Sequence, residues 1–363
     1  MIRRNFSVQQ ASSYQTGSLT TIEKTLLTAK LIDGFWDRWI VHGVERKDVV
    51  IVRQQHLMKE AWINSWKELA DLNYREATKQ YEQGAIEQAE YMYKISALYY
   101  QLIYWLFPEN NSIKRQWLLK SLEVMEQADQ LAMIKTEYVQ LSINGGECYG
   151  RIRIPDNHKA VVIMMNPIDS TKEELFTYED DFVKHGFAVL SFDGPGQGQT
   201  YTFEGLRGTI EGWKSFVDNV IDYSHMYFPT LPIQLFGTSS GAAWALYGSC
   251  NPKVEKVVAV SPAFIQETIK LPDYFVERTQ FVFEGDSMLP DLGKLQFLNP
   301  VMLVHGKQDV MITDQHIYEL YRRLPIGKCY VEYENEGHCC NYKLSEIRRK
   351  AMEWFEEDIK DVI

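Results

Sequence analysis

Apolar residues recur every three or four positions along the first 130 residues, which is the periodicity of amphipathic helices. Helices are predicted over residues 19–39, 55–107 and 113–133. Gly84 interrupts the second segment, so two antiparallel helices joined by a short turn are expected there. Pro108 and the polar residues up to Ser112 predict a helix end followed by the N-cap of the third helix.

From about residue 135 the pattern changes to short apolar runs bounded by turn residues. Two runs flank Asn144-Gly145-Gly146 and predict a β-hairpin. Six further runs, separated by helical stretches, are typical of buried parallel strands. The eight predicted strands cover residues 137–142, 148–154, 160–165, 188–192, 233–236, 257–260, 301–304 and 330–333. The predicted fold class is therefore α/β, with a mostly parallel eight-stranded sheet.

The chain is long enough for two domains. Its 363 residues exceed the roughly 250–300 at which a single core usually stops growing. We predict an N-terminal helical domain over residues 1–130 and an α/β domain over residues 131–363. The connection at about residues 263–298 is too long for a simple link between a strand and a helix, and it is interpreted as an inserted lid.

A candidate nucleophile follows the fifth predicted strand, in Gly237-Thr238-Ser239-Ser240-Gly241. A serine in G-x-S-x-G between a strand and a helix sits on a tight, strained turn that exposes its hydroxyl above the sheet. The two glycines allow the neighbouring backbone to approach without a Cβ clash. The alternative is a glycine-rich turn that only closes a strand.

A serine nucleophile needs a base and an acid that orients the base. His338 follows the last predicted strand and Asp309 follows the preceding one, so both are expected at the same edge of the sheet as Ser239. Imidazole suits the role of base because its pKa lies near neutral pH. A structural histidine and an N-capping aspartate are the alternatives. The order Ser, Asp, His is that of α/β-hydrolases.

An oxyanion hole needs two N–H donors. One is expected from Ser240, at the start of the helix after the nucleophile. The second is expected from the loop after the third strand, where Pro167 has no N–H. Ile168 is our prediction for this donor, and Asp169 is the alternative.

Composition and charge exclude several classes of function. A formal net charge of −11 is poorly matched to nucleic acids and anionic membranes. No stretch approaches the ~20 apolar residues of a membrane span, and no signal peptide is recognised at the start. The five cysteines form neither a disulfide framework nor a metal pattern, so a cytoplasmic protein without a metal or other cofactor is expected. The turn at residues 192–198 lacks a P-loop lysine and is interpreted as structural.

Three motifs at matching intervals carry a resemblance to a known group. They are Asn166-Pro167-Ile168-Asp169-Ser170-Thr171-Lys172-Glu173-Glu174, Phe192-Asp193-Gly194-Pro195-Gly196-Gln197-Gly198, and the serine motif. Together they resemble the α/β-hydrolases of the group that contains 2,6-dihydroxypseudooxynicotine hydrolase, fermentation-respiration switch protein-like esterases and fungal enzymes that shorten polyketide chains. Group members often have Gly-Gly where this chain has Asn166-Pro167.

The resemblance implies a Ser-His-Asp hydrolase that cleaves an ester or a carbon–carbon bond next to a ketone. It also implies a helical domain over the active site and a homodimer. We expect a small, partly aromatic or polyketide-like substrate, in an apolar pocket formed by the lid and by helices near Tyr99, Tyr100 and Trp105. The alternatives are an acyltransferase or thioesterase with the same triad, and a non-catalytic interaction module on a hydrolase scaffold.

Overall fold

A computed structural model describes residues 19–54, 58–143, 145–264 and 271–357 of the chain. Contacts divide the chain into two compact units. The helical unit comprises Met1–Ala132 and Thr268–Val282, and the α/β unit comprises Met133–Glu267 and Phe283–Ile363. Residues of the predicted lid at 263–298 thus belong to both units, and residues 265–270 lie outside the described ones. The domain boundaries and the lid stay predictions.

The helical unit contains long helices that pack side by side. Its helices are α1 (Thr21–Leu31), α2 (Asp37–His42), α3 (Arg46–Gln54), α4 (Lys59–Glu82), α5 (Ile86–Leu106), α6 (Ser112–Leu131) and, from later in the chain, α11 (Asp273–Val282). Helix α5 packs against both α4 and α6. The break at Gly84 and the N-cap before α6 are confirmed, since the Asn111 side chain accepts a hydrogen bond from the Lys114 N–H at 2.9 Å.

The helix predicted over residues 19–39 is wrong in length. Helix α1 ends at Leu31, and a 3₁₀ turn at Asp33–Trp36 leads into α2. The Ile32 N–H still donates to the Thr28 carbonyl oxygen, but Ile32 itself is extended, with ψ of 113°, and the chain leaves the helix axis there. The turn buries Trp36, whose indole N–H donates to the Ala29 carbonyl oxygen at 2.8 Å. Burial of this large ring overrides the continuous helical pattern.

Aromatic side chains form the core of the helical unit. Trp36 stacks on Trp62 with ring centroids 5.6 Å apart, and Trp66 packs edge-on against Tyr99 at 5.2 Å. The hydroxyl of Tyr99 donates to Asp48, and the ring of Tyr100 stacks on Trp117. Tyr99 and Tyr100 therefore pack within the helical unit, and the apolar substrate pocket predicted near them stays a prediction.

The α/β unit is built on one eight-stranded sheet with the order β1-β2-β4-β3-β5-β6-β7-β8. The strands are β1 (Lys135–Ile143), β2 (Gly146–Ile154), β3 (Ala160–Met165), β4 (Phe187–Phe192), β5 (Ile233–Thr238), β6 (Val254–Val260), β7 (Val301–Gly306) and β8 (Cys329–Tyr333). Strands β1 and β2 form the predicted hairpin, although Asn144 lies outside the described residues. Strand β2 pairs antiparallel with β4, and all later pairs are parallel. The predicted fold class is confirmed.

The helices of the α/β unit follow its strands. They are α7 (Phe176–Lys184), α8 (Gly198–Glu204), α9 (Ile210–Tyr227), α10 (Ser240–Gly248), α12 (Asp314–Arg323) and α13 (Leu344–Glu356). Every residue of β3, β4, β5 and β7 is buried, as the continuous apolar runs predict. In a parallel sheet the carboxyl ends of the strands meet at one edge, and the loops after β3, β5, β7 and β8 therefore share that edge.

Candidate active site

Ser239 occupies the turn between β5 and α10, and its backbone is strained. Its φ of 55° and ψ of −120° lie outside the usual regions for a residue with a side chain. The turn closes tightly: a Cβ on Gly237 would lie 2.4 Å from the Gly241 carbonyl oxygen, and one on Gly241 would lie 2.0 Å from the Met165 carbonyl oxygen. Both glycines are therefore needed for this turn, and the turn projects the Ser239 side chain beyond the edge of the sheet.

The structure brings Ser239, His338 and Asp309 together. His338 Nε2 lies 2.8 Å from Ser239 Oγ, and His338 Nδ1 lies 2.8 Å from Asp309 Oδ2. The loops that carry the two side chains are joined directly, because the Gln308 N–H donates to the Glu336 carbonyl oxygen at 2.8 Å. The serine hydroxyl can thus donate to the imidazole, and the other ring nitrogen can donate to the carboxylate.

Asp309 is held as a carboxylate. Its side chain is fully buried, and burial alone would raise its pKa. The charge and hydrogen bond of His338, with the backbone N–H groups of Ile312 and Met311, outweigh burial and lower the pKa of Asp309 below its ordinary value. These two N–H groups donate to Oδ1 at 3.0 and 2.8 Å. Asp309 can therefore stabilise a positive charge on His338.

His338 is a stronger base than an ordinary imidazole. Burial alone would lower its pKa, but interactions with Cys339 and Asp309 raise the pKa of His338 well above the ordinary value. Cys339 and Cys340 follow in left-handed backbone conformations, with φ of 65° and 48°. The Cys339 N–H donates to Ser261 Oγ at 3.1 Å, which anchors this turn beside the end of β6.

The two predicted oxyanion donors lie close to each other, at Ser240 and Ile168. Ser240 is the first residue of α10, so its N–H has no acceptor within the helix. The Ile168 N–H donates to Ser240 Oγ at 2.6 Å. Asp169, the alternative donor, has a left-handed backbone with φ of 59°. The structure thus brings the Ile168 and Ser240 backbones together, with the Ser240 hydroxyl as the present acceptor.

A buried polar network below this loop was missed by the sequence reasoning. Lys172 Nζ lies 3.0 Å from Asp193 Oδ2 and 2.7 Å from Glu173 Oε1, and all three side chains are fully buried. Burial by itself would lower the pKa of Lys172, but the two carboxylates raise it above its ordinary value. Gln197 continues the network to the backbone at Asn166 and Pro167. The available signal was the pair of polar motifs at residues 166–174 and 192–198.

The described residues contain neither a metal centre nor a membrane-spanning helix. Among them, no group of three or more His, Cys, Asp and Glu side chains is arranged to hold a metal ion. In the same residues, none of the helices combines the length and the apolar character needed to cross a membrane.

Comparison with known proteins adds sequence and structural relatives. The Hydrolase_4 family, described as serine aminopeptidase, S33, matches residues 156–283, which include Ser239. The crystal structure of 2,6-dihydroxy-pseudo-oxynicotine hydrolase superposes with a TM-score of 0.73 over 90% of this chain and 95% of that one, at 24% sequence identity. The chain has the α/β-hydrolase fold. Its eight-stranded sheet and its turn at Ser239 are features of this fold.

Two curated relatives of this chain are informative. The 2,6-dihydropseudooxynicotine hydrolase of Paenarthrobacter nicotinovorans is 29% identical over 229 residues, which are 62% of this chain and 61% of that protein. The alpha/beta hydrolase ucsC of an Acremonium species is 25% identical over 281 residues, which are 69% of this chain and 55% of that protein. The matches thus span between one half and two thirds of the relatives' lengths. The chain is a homologue of the first relative.

Proposed function

We propose that this α/β-hydrolase cleaves its substrate through a Ser-His-Asp triad formed by Ser239, His338 and Asp309. The observation that carries the proposal is the continuous hydrogen-bond chain from Ser239 Oγ through His338 to Asp309, with 2.8 Å at each link. The strained backbone of Ser239 supports it, because strain of this kind is typical of functional turns.

The proposed reaction begins with attack of Ser239 Oγ on a carbonyl carbon. His338 Nε2 accepts the hydroxyl proton, and the Asp309 carboxylate stabilises the imidazolium that results. The carbonyl oxygen becomes an oxyanion, which accepts hydrogen bonds from the Ser240 and Ile168 N–H groups. His338 then returns the proton to the leaving group, and water releases the acyl group by the same steps in reverse. The reaction needs no cofactor.

The proposed substrate is a small, partly aromatic or polyketide-like ester, or a ketone with a cleavable neighbouring carbon–carbon bond. The homology to 2,6-dihydropseudooxynicotine hydrolase supports this class. In either case the same triad acts on a carbonyl carbon, and only the leaving group differs: an alcohol from an ester, or a carbanion that is protonated after carbon–carbon cleavage.

The proposal is tested with a fluorophosphonate probe on the purified chain, with the adduct mapped by mass spectrometry. We expect one adduct per chain at Ser239, none in Ser239→Ala, and normal labelling in Ser142→Ala. Ser142 is an exposed serine of β1 and serves as the matched control. Esters, thioesters and β-diketones are then assayed with the wild-type chain and with Ser239→Ala.

The outcome that contradicts the proposal is specific. If folded wild-type chain reacts neither with the fluorophosphonate nor with a smaller sulfonyl fluoride, Ser239 is not an activated nucleophile. The interaction-module alternative then replaces the hydrolase mechanism.

A further inference from the structure

Gln197 lies beneath the loop that carries Ile168, and its side-chain amide is buried. The Gly194 N–H donates to Gln197 Oε1 at 3.0 Å. Gln197 Nε2 donates to the carbonyl oxygens of Asn166 at 3.1 Å and Pro167 at 2.8 Å. Only one orientation of the amide satisfies all three bonds, because the Gly194 N–H is a donor and the two carbonyl oxygens are acceptors. The donor side of Gln197 therefore faces the loop.

The bond to the Pro167 carbonyl oxygen determines where the Ile168 N–H points. The peptide bond between Pro167 and Ile168 is planar and trans, so its C=O and N–H groups point in opposite directions. Gln197 Nε2 and Ser170 Oγ hold the carbonyl oxygen on one side, at 2.8 and 2.7 Å. The Ile168 N–H must then point to the other side, where it meets Ser240 Oγ.

The other end of this loop, at Lys172, is held by the turn that contains Asp193 and Gln197. Asp193 Oδ1 accepts a hydrogen bond from the Lys172 N–H at 2.8 Å, and Asp193 Oδ2 accepts one from Lys172 Nζ at 3.0 Å. The turn at residues 193–197 thus holds both ends of the segment 166–172. Such buried and mutually bonded groups restrict the loop to one conformation.

We propose that Gln197 is a positioning residue that directs the Ile168 N–H into the oxyanion hole by holding the Pro167 carbonyl oxygen. The proposal rests on the proposed function, since it assumes that Ser239 forms an oxyanion. It assigns a role to the motif at residues 192–198, which the reaction itself does not use. It also explains how a loop with Asn166-Pro167 can present an N–H donor although Pro167 has none.

Loss of this support should slow the chemical step more than it weakens substrate binding. A donor of an oxyanion hole acts mainly in the transition state, and its removal typically costs about 10²- to 10³-fold in kcat. Gln197→Met keeps a side chain of similar length without its donors. We expect kcat and the rate of Ser239 phosphonylation to fall by about 10²-fold, with KM within about threefold of the wild-type value.

The matched control is Thr200→Val. Thr200 is buried and donates to the Asp193 carbonyl oxygen at 2.7 Å, but it makes no bond to residues 166–168. We expect its phosphonylation rate to stay within about threefold of wild type. The apparent pKa of His338, from the pH dependence of kcat/KM, should be unchanged in both variants, because neither contacts the imidazole.

Ser170→Ala provides a second variant if Gln197→Met does not fold. It removes the other donor to the Pro167 carbonyl oxygen and leaves the turn intact, so a fall of about fivefold is expected. Rates for Gln197→Met and Ser170→Ala that stay within twofold of wild type overturn the positioning role, while labelled wild-type Ser239 keeps the proposed function. If neither the fluorophosphonate nor the smaller sulfonyl fluoride labels the folded wild-type chain, both proposals are overturned.

Discussion

Two sides of Ser239 work in different ways. On one side, His338 and Asp309 act through their side chains in the proposed mechanism, and each makes a direct hydrogen bond of 2.8 Å. On the other side, Ile168 and Ser240 would act through backbone N–H groups, whose directions depend on neighbouring buried groups such as Gln197. A side chain with the right chemistry can be recognised from its residue type, whereas a backbone donor depends on the residues that orient it.

The largest expected loss of activity comes from a change to the side chains of His338 and Asp309. Asp309→Asn keeps the shape of the side chain but removes its charge, and kcat should fall by about 10⁴-fold because the imidazole is no longer held in the correct tautomer. The Asp309 carboxylate helps to raise the pKa of His338. Since His338 is a base only when neutral, kcat/KM of the wild type should rise with pH through a pKa above 6.5. In Asp309→Asn this rise should move to lower pH.

The control for this prediction is Asp314→Asn. Asp314 Oδ1 lies 2.7 Å from Nε2 of the buried His305. Asp314→Asn therefore removes a similar charge from beside a second histidine in the α/β unit. We expect the pH profile to stay unchanged. A profile that moves equally in both variants, or a loss of less than tenfold in Asp309→Asn, would contradict the role of Asp309.

A smaller effect on the reaction is expected from Gly241, where the turn after Ser239 touches the backbone of the loop that carries Ile168. Gly241→Ala places a Cβ 2.0 Å from the Met165 carbonyl oxygen and 2.8 Å from that of Asn166, so the backbone must move. The free energy of unfolding should fall by about 1–3 kcal/mol, and phosphonylation of Ser239 should slow. Chemical denaturation measures the first quantity, and a stopped assay with the probe measures the second.

Gly248→Ala is the matched change for Gly241→Ala at the other end of α10. There the new Cβ meets Leu235 Cδ2 at 2.4 Å, which is the end of a side chain and can shift. We expect a smaller loss of stability and a normal labelling rate. Equal effects of the two substitutions would show that backbone crowding at Gly241 has no special importance for the site.

The smallest expected effect concerns the Ser240 hydroxyl. Ser240 Oγ accepts a hydrogen bond from the Ile168 N–H at 2.6 Å, so an oxyanion must displace this hydroxyl to reach the N–H. Ser240→Ala leaves the backbone N–H groups in place and removes this competitor, so kcat/KM should rise by up to about fivefold, the value of one net hydrogen bond. Steady-state kinetics on any accepted ester measure it. A fall of tenfold or more would instead indicate that the hydroxyl itself contributes to the reaction.

Strand positions were the most predictable part of the fold. The buried runs were recognised because strands covered on both faces are apolar throughout, as in β3, β4 and β5. The helical unit was predicted less well: α2 and α3 were missed and α1 was drawn too long. Helical periodicity continues across Ile32, and the turn after it depends on where Trp36 is buried. That burial depends on packing partners distant in sequence, among them Trp62 and Trp66.

The positions of the eight strands, the α/β fold class and the candidate residues Ser239, Asp309 and His338 could be predicted from the sequence. These follow from local patterns: buried apolar runs, a serine between two glycines, and polar residues just after parallel strands. The contacts among the three side chains, and the direction of the Ile168 N–H toward Ser240, are visible only in the tertiary structure. The physical reason is that a hydrogen bond depends on distance and direction, and both are set by segments 29 to 99 positions apart in the chain that fold onto one edge of the sheet.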